Sequence, residues 1–346
     1  MSTISTVGAM ALDQARLRDR LDLLARQIST GQRGVTHGAL GPEARYAIDL
    51  RGDIGRREAY IGAANTALGR MSATQDVLAR LEAIASNAAA EASRARTLGA
   101  SGVEALARSA RSALEEVAAL LNTSHGGEYL FSGSDLATAP VPNASGIATG
   151  PMAAAITAVV ATLDPSNAAA VLSGTAAVAM AGATAPFSAH LEGPGLTEPR
   201  RALQIADGER IAWGILPSQD QAGQVAQAWG REVLRGLAVL AALTPASVAQ
   251  GAGYDGLLAG TAQVLTEAGR GMAQERGALG AAEKRVEATR ERHGDLLVMV
   301  RAQLASIEGV DLAEASAALR QTESRLEASY ETTARIARLS LATLLR

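Results

Sequence analysis

A seven-residue repeat in the C-terminal third of the chain restricts the fold more than any other feature. A second row of positions, three residues after each residue of the repeat, is mostly small or apolar, with Glu275 and Gln303 as exceptions. A repeat of this length predicts one long helix that packs against other helices at a shallow angle. The repeat consists of Leu258, Leu265, Met272, Leu279, Val286, His293, Val300 and Ile307.

Apolar residues spaced three and four apart predict further helices in the N-terminal part. The first runs roughly from Ser5 to Thr30 and has a single apolar stripe, interrupted only at Gln14. Gly31 follows where a C-cap residue of positive φ is expected. Two more helices are predicted over residues 54–85 and 103–120, with a break between them at Gly99 and Gly102.

The sequence also predicts a helix before the long one and another at the C-terminal end. A helix with apolar residues from Val225 to Leu240 is predicted to end at Thr244-Pro245. Gly309 interrupts the seven-residue repeat, and Asp311 with Glu314 fits a capping box for a last helix. The two rows predicted for that helix are Leu312, Leu319, Leu326 and Thr333, and Ala315, Thr322, Ser329 and Ile336.

The middle of the chain differs in composition from both flanks. Between Leu136 and Ala189 the only charged residue is Asp164, and Ala, Gly, Thr, Ser and Pro dominate. We interpret this segment as either a small compact insert or a flexible loop. Residues 128–131 before it predict a short strand, and Asp207-Gly208 after it predicts a hairpin turn between alternating apolar residues.

Composition excludes several kinds of chemistry. The chain of 346 residues has no cysteine and one lysine, and its four histidines are scattered, so thiolate sites and histidine metal clusters are not expected. A formal net charge of −3 disfavours nucleic acid as the main partner. Aromatic residues amount to 3%. We therefore expect no enzyme activity, no catalytic residue, no cofactor and no metal site.

Three further patterns are better explained by packing than by ligand binding. Gly251, Gly253 and Gly256 fit G-x-G-x-x-G, but no strand precedes them, so we interpret them as a loop between helices. His293 lies on the apolar repeat, and no second ligand lies one helical turn away. The tryptophans at 213 and 229 are expected to anchor the hairpin against the following helix. No role is assigned to the N-glycosylation sequons at Asn122 and Asn143.

Targeting signals are not evident in the sequence. No apolar segment follows a basic start, and no run of 18 apolar residues occurs, so we expect neither a cleaved signal peptide nor a membrane span. A cytoplasmic protein and one exported by a machine that does not read such signals would look the same.

Each end of the chain has one narrow apolar stripe. Burial of one stripe does not offset the entropy of ordering a whole helix, so each end needs a partner. The simplest arrangement pairs the two ends with each other, and neighbouring copies then complete the burial. Our hypothesis is that both ends are largely disordered in the monomer and fold on assembly.

Four segments together resemble one protein family. Leu21–Gly31 resembles the N-terminal signature of bacterial flagellins and their hook-associated relatives. Glu128–Gly133 resembles the strand that follows the second core helix in the hook-associated members. Gln204–Gly208 resembles the hairpin beyond their variable insert, and Ser329–Arg346 is similar to their C-terminal helix. The resemblance covers both helical ends, about two-thirds of the chain, in the expected order.

The resemblance implies a mainly α fold with a coiled coil of long antiparallel helices built from both chain ends, a short β-hairpin region and a small central inserted domain. The expected domains are residues 1–32 with 309–346, residues 33–133 with 200–308, and a variable outer insert over 134–199. The expected assembly interface consists of Val7, Met10, Leu17, Leu21, Leu24, Ile28, Leu312, Leu319, Leu326, Ile336, Leu339 and Leu344.

The function implied is that of a structural subunit that joins the hook to the filament of the bacterial flagellum. Such a subunit would be extracellular and exported by the flagellar type III system. Its partners would be further copies of itself, the neighbouring hook-associated protein, flagellin and an export chaperone, without nucleic acid or membrane insertion. A filament subunit is the near alternative, and a cytoplasmic coiled-coil adaptor is a remoter one.

The folding-on-assembly hypothesis makes a prediction for amide hydrogen exchange. Residues 5–30 should exchange rapidly in the purified monomer and slowly in the assembled state, because burial of their stripe is incomplete until neighbouring copies complete it. Strong protection of these residues in a proven monomer would contradict it.

Overall fold

The computed structural model describes residues 2–34, 37–97, 100–220 and 222–344, without the side chains of 2–7, 37, 39, 100, 337 and 339–344. Within these ranges the fold is mainly α with two small antiparallel hairpins, as expected. The helices are α1 (Ser2–Thr30), α2 (Ala44–Ala95), α3 (Ala100–Leu121), α4 (Pro151–Val160), α5 (Ala168–Met180), α6 (Trp229–Ala241), α7 (Pro245–Val248), α8 (Ala252–Glu308) and α9 (Leu312–Leu344). The strands are β1 (Ser124–His125), β2 (Glu128–Tyr129), β3 (Ala202–Ala206) and β4 (Glu209–Ala212), and 3₁₀ segments cover His37–Glu43, with a kink at Gly41, and Pro194–Leu196.

The chain divides into two compact units. Unit 1 contains residues 1–59 and 293–346, and unit 2 contains residues 60–292. The segment expected as an outer insert, residues 134–199, lies within unit 2. The division into three domains stays a prediction.

The seven-residue repeat forms the buried face of α8. The row from Leu258 to Val300 is buried at every position, and Ile307 is half-buried. The second row is buried as well, from Thr261 to Thr289. It includes Glu275, whose carboxylate receives hydrogen bonds of 2.9 and 3.1 Å from Arg200. The prediction of one long helix is therefore confirmed, and the charged exception in the repeat is a buried ion pair.

Unit 2 contains the main hydrophobic core, which surrounds α6. Leu234, Leu237 and Leu240 are fully buried, because α6 packs against α3 on one side and against α4 and α5 on another. Gly236 allows the close approach of α8, since a Cβ at this position would lie 2.7 Å from Leu265 Cδ2. Because α6 is surrounded on several sides, its arginines Arg231 and Arg235 are buried together with its apolar residues.

The alanine-rich middle segment is a compact insert, one of the two alternatives left by the sequence. Its helices α4 and α5 contribute Ile156 and Val171 to the same core as α6. A Cβ on Gly260 would lie 2.2 Å from Leu172 Cδ1. Arg235 Nη1 also donates to Thr175 Oγ1 at 3.3 Å. The insert thus packs directly on α6 and on the start of α8.

The predicted hairpin and the predicted strand are both present, and their strands are shorter than expected. Strands β3 and β4 pair antiparallel around Gly208, whose φ is +75°, and they end before Trp213 and Ile215. The strand expected over 128–131 is limited to β2, which pairs with β1. The prediction of a turn at Asp207-Gly208 is confirmed.

Several predicted helix limits differ in the structure. Gly102 lies inside α3 and is no break, because the helix already begins at Ala100, and Gly99 lies outside the described residues. Val225 precedes α6, since the chain turns there around a hydrogen bond from Gln224 N to Asp220 Oδ1 of 2.7 Å. Gly31 has the expected positive φ of +69° and donates its N–H to Gln27 O at 2.8 Å.

The glycine-rich pattern at 251–256 belongs to the start of α8. Gly251 has φ +52° and precedes the helix, while Gly253 and Gly256 lie within its first turns. A Cβ on Gly253 would lie 1.9 Å from Asp164 O. The pattern therefore serves close packing against the insert.

The different surroundings of two helical glycines predict opposite effects of their replacement by alanine. Gly253→Ala should lower the free energy of unfolding by about 1–3 kcal/mol, because a backbone carbonyl occupies the place of the new methyl group. Gly62→Ala, at an exposed position of α2 with open space around it, should raise it by about 0.5–1 kcal/mol. Denaturant unfolding of the three chains measures both effects, and equal stability of the two variants would contradict the prediction.

Candidate assembly interface

The predicted interface residues near the N-terminus lie on one side of α1. Leu24 is buried, with 8% exposure. The half-buried positions are Met10, Leu17, Leu21 and Ile28. The side chain of Val7 lies outside the described side chains. This side of the helix packs against α9, so the two chain ends pair as the stripes predicted.

The residues of α9 on the predicted rows are buried to different degrees. Ala315 and Thr322 are buried, and Leu319, Leu326 and Ile336 are half-buried. Leu312, at the first position of the helix, is exposed. The side chains of Leu339 and Leu344 lie outside the described side chains.

Polar contacts fix the alignment of α1 and α9. Gln14 Nε2 donates to Thr333 Oγ1 at 3.0 Å and to Ser329 Oγ at 3.3 Å. Arg18 Nε donates to Tyr330 Oη at 2.7 Å, and the guanidinium stacks on the ring. Gln14 is therefore part of the seam, although the sequence marked it as an interruption. The sequence could have shown this, because Gln14 occupies a position of the stripe in the same spacing of three and four residues.

The other end of the helix pair is closed by backbone hydrogen bonds. Gln32 and Gly309 form an isolated antiparallel bridge. Val310 N donates to Gly31 O at 3.0 Å, and Arg33 N donates to Glu308 O at 2.8 Å. The turns at both glycines thus meet, which holds the start of α9 beside the end of α1.

Asp311 caps α9. Its Oδ1 accepts hydrogen bonds from the N–H groups of Ala313 at 2.8 Å and Glu314 at 3.2 Å. This bond pattern satisfies N–H groups that have no partner within the first helical turn. The predicted N-terminal limit of the helix is confirmed.

Ion pairs in unit 1 join α2 to the C-terminal part of α8. Arg51 lies 2.8 Å from Glu308, and Arg301 lies 2.5 Å from Glu58. Burial would raise the pKa of Asp53, but hydrogen bonds and charge from Arg56 and Arg57 hold it below its ordinary value. Arg57 Nη1 also lies 3.5 Å from His293 Nδ1, so this histidine lies in the packed seam as expected.

Unit 1 exposes an unusual share of large apolar side chains. Among the described side chains, every strongly exposed one except Met180 belongs to this unit. These side chains are spread over α1, α2, α8 and α9 rather than confined to one helix. The residues are Leu12, Leu23, Tyr46, Ile48, Val298, Met299, Leu312 and Tyr330. Most of them lie outside the predicted stripes, so the sequence did not identify them.

Charged clusters in unit 2 hold loops and helices together. Arg70 and Arg201 both bind the carboxylate of Glu128, and their guanidinium groups lie 5.8 and 5.2 Å from the ring centre of Trp213. The hydrogen bond from Arg201 is the main cause that lowers the pKa of Glu128. Trp213, directly after β4, thus lies beside an arginine of α2 and the arginine that precedes β3, and its expected contact with the following helix stays a prediction.

Other side-chain clusters are also accounted for by structural contacts. Trp229 is buried and meets Phe131 edge to face, with ring centres 6.0 Å apart. The Asn122 amide is engaged with Val141, donating to its carbonyl at 2.7 Å and accepting from its N–H at 2.8 Å.

Ser134 lies between His190 and Glu198. Its hydroxyl is 3.1 Å from His190 Nε2 and donates to the Glu198 carboxylate. In a catalytic triad the acid would orient the histidine from its other ring nitrogen. Here both partners contact the serine, so the cluster lacks that relay geometry.

The comparisons with known proteins support a flagellar protein. Residues 262–345 match the family model described as the bacterial flagellin C-terminal helical region. The match covers most of α8 and α9, about a quarter of the chain, and supports the bacterial flagellin family. That family consists of exported structural subunits that assemble into the flagellum. No curated protein matches the chain.

Two properties of the described residues concern membrane spanning and metal binding. None of the helices they form is long and apolar enough to cross a membrane. In the same residues no group of three or more potential metal ligands comes together.

The buried position of Leu24 predicts a loss of assembly on charge insertion. Leu24→Asp should reduce incorporation into flagella at least about tenfold, because an unpaired carboxylate in the α1–α9 seam costs several kcal/mol. Ala15→Asp, on the exposed side of α1, is the matched control and should retain incorporation. Immunoblots of isolated flagella measure both variants. Normal incorporation of Leu24→Asp would show that the seam is not needed for assembly.

Proposed function

We propose that this chain is a structural subunit that self-assembles at the hook–filament junction of the bacterial flagellum, in the manner of hook-associated protein 3. The family match supports a flagellar structural subunit. The junction role rests on the resemblance of residues 128–133 and of the C-terminal helix to hook-associated members of the family.

The observation that carries the self-assembly proposal is the distribution of apolar surface. In unit 1, α1 pairs with α9, and yet most of the strongly exposed large apolar side chains in the described part of the chain belong to this unit. Unit 2 contains a closed core around α6. A monomer gains nothing from this exposure, whereas neighbouring copies would bury it.

The expected domain division gives each part of the chain a role in the proposed assembly. Residues 1–32 and 309–346 would form the inner coiled coil, residues 33–133 and 200–308 the helical second layer, and residues 134–199 the outward part. The stripe residues from Val7 to Ile28 and from Leu312 to Leu344 would pack within that coiled coil. Neighbours at the joint would be another hook-associated protein and flagellin, with an export chaperone bound before secretion.

The alternative is a filament subunit. It is favoured by the family model itself, which describes the flagellin C-terminal region. Both alternatives are structural and imply no catalysis.

Labelling of detached flagella distinguishes the two roles. An antibody against residues 134–199 should mark a single site at the joint between hook and filament, because a junction subunit occupies only that position. Labelling along the whole filament would show a filament subunit. Flagella from a strain without the gene serve as the control, and absence of the protein from all flagellar fractions would overturn both roles.

A further inference from the structure

A groove opens between α2 and α8 in unit 2. Its volume is about 440 Å³. The side chains that line it are mostly small, including Ser86, Ala90 and Ser93 on α2 and Gly269 and Ala273 on α8. Two helices that meet through small residues leave space at their margin, and space without partner atoms forfeits van der Waals contacts. The groove can therefore receive an apolar side chain from outside.

Unit 1 presents an apolar projection that suits such a groove. Val298 and Met299 are successive residues of α8 with exposures of 69% and 58%. The other exposed large apolar residues of the described part of unit 1 are separated from one another along the chain. We call this pair the 298–299 knob. Among the described side chains of unit 1, it is the place where two successive large apolar residues of one helix are both strongly exposed.

Charges beside the two surfaces are complementary. Arg270 lines the groove and is exposed, while Glu82, the acidic residue of the lining, is paired with Arg276 at 2.7 Å. Asp295 is exposed one helical turn before Met299. Within the described residues neither Arg270 nor Asp295 has an ion-pair partner within 4.0 Å. A groove with a free cation and a knob with a free carboxylate attract each other.

We propose that the 298–299 knob of one copy docks in the α2–α8 groove of a second copy, with Asp295 facing Arg270. This inference rests on the proposed self-assembly and names its contact. Arg270 and Asp295 belong to one continuous helix, so they cannot meet within a single chain. A contact between two different surfaces is heterologous, and it repeats from copy to copy into a ring or an open helix.

Cysteine cross-linking tests this contact directly, because the chain has no cysteine of its own. Cells without the natural gene would co-express Met299→Cys chains with chains that carry Ser86→Cys, Ala90→Cys or Ser93→Cys. Mild oxidation of the isolated flagella should yield a covalent dimer for at least one groove position, because docking brings the two Cα atoms within the distance of a disulfide, about 4–7 Å.

Single-cysteine flagella and an unrelated exposed position are the controls. Met299→Cys alone and each groove variant alone should give no dimer, and neither should Met180→Cys combined with Ser86→Cys. A dimer from Met299→Cys alone would show a symmetric contact and overturn the proposal. Flagella that contain both variants but form no mixed dimer at any of the three positions would also overturn it, while the proposed function would stand.

Charge reversal gives an independent test. Asp295→Arg and Arg270→Asp should each lower incorporation at least about tenfold, because each places like charges together across the contact. The double variant should recover most of the loss, since it restores the opposite pair. Glu115→Arg, an exposed reversal on α3, should have no effect.

The two proposals fail in different ways. If the double variant incorporates as poorly as the single variants while all of them remain helical by circular dichroism, the knob-and-groove contact is wrong. If the unmodified chain is absent from every flagellar fraction, the proposed function is wrong and the contact falls with it.

Discussion

The pairing of two helices that have only one narrow apolar stripe each shapes the whole of unit 1. Neither α1 nor α9 can remove its apolar stripe from water alone. The two stripes therefore pack against each other, around Leu24, Ala315 and Thr322. Gln14 and Arg18 use their polar groups across the same seam, which aligns the two helices without adding apolar area. A stripe this narrow is covered by a single neighbouring helix. The outer sides of the pair therefore stay in water, and large apolar side chains remain exposed elsewhere in the unit.

Unit 2 differs, because it has a large core that contains charged side chains, and each of these needs a partner within the protein. The buried Arg231 illustrates how this is done: it bonds Glu192 at 2.9 Å and the carbonyl of Ala179 at 2.5 Å, and it stacks near Phe187. Glu275 is held by Arg200 in the same manner. Breaking one side of such a pair would leave an uncompensated buried charge, so these contacts hold the insert and the loop before α6 in place.

The unequal distribution of apolar surface between the units links the structure to the function. A family match over residues 262–345 supports a flagellar structural protein, and in the proposed assembly the exposed apolar residues of unit 1 are covered by further copies. Small residues give α2 and α8 a groove, whereas Val298 and Met299 give α8 a projection. Surfaces of these two kinds on one chain suit a polymer better than a closed pair, because each copy can offer one and accept the other.

Local patterns in the sequence determined the parts of the fold that repeat along one helix or one turn. The row from Leu258 to Val300, the stripe of α1 and the turn at Asp207-Gly208 follow directly from residue spacing and backbone preference. Tertiary structure alone decided what these elements pack against. The helices of the insert bury one face on α6 and the start of α8, while their exposed residues are mostly alanine with threonine and serine, so no charged face marked them as helices in the sequence. Gln14 and Glu275 looked like interruptions because their partners, Thr333 and Arg200, are distant in sequence and become neighbours only when the helices pack. Periodicity records which face a residue occupies, whereas the identity of its partner depends on contacts between distant segments.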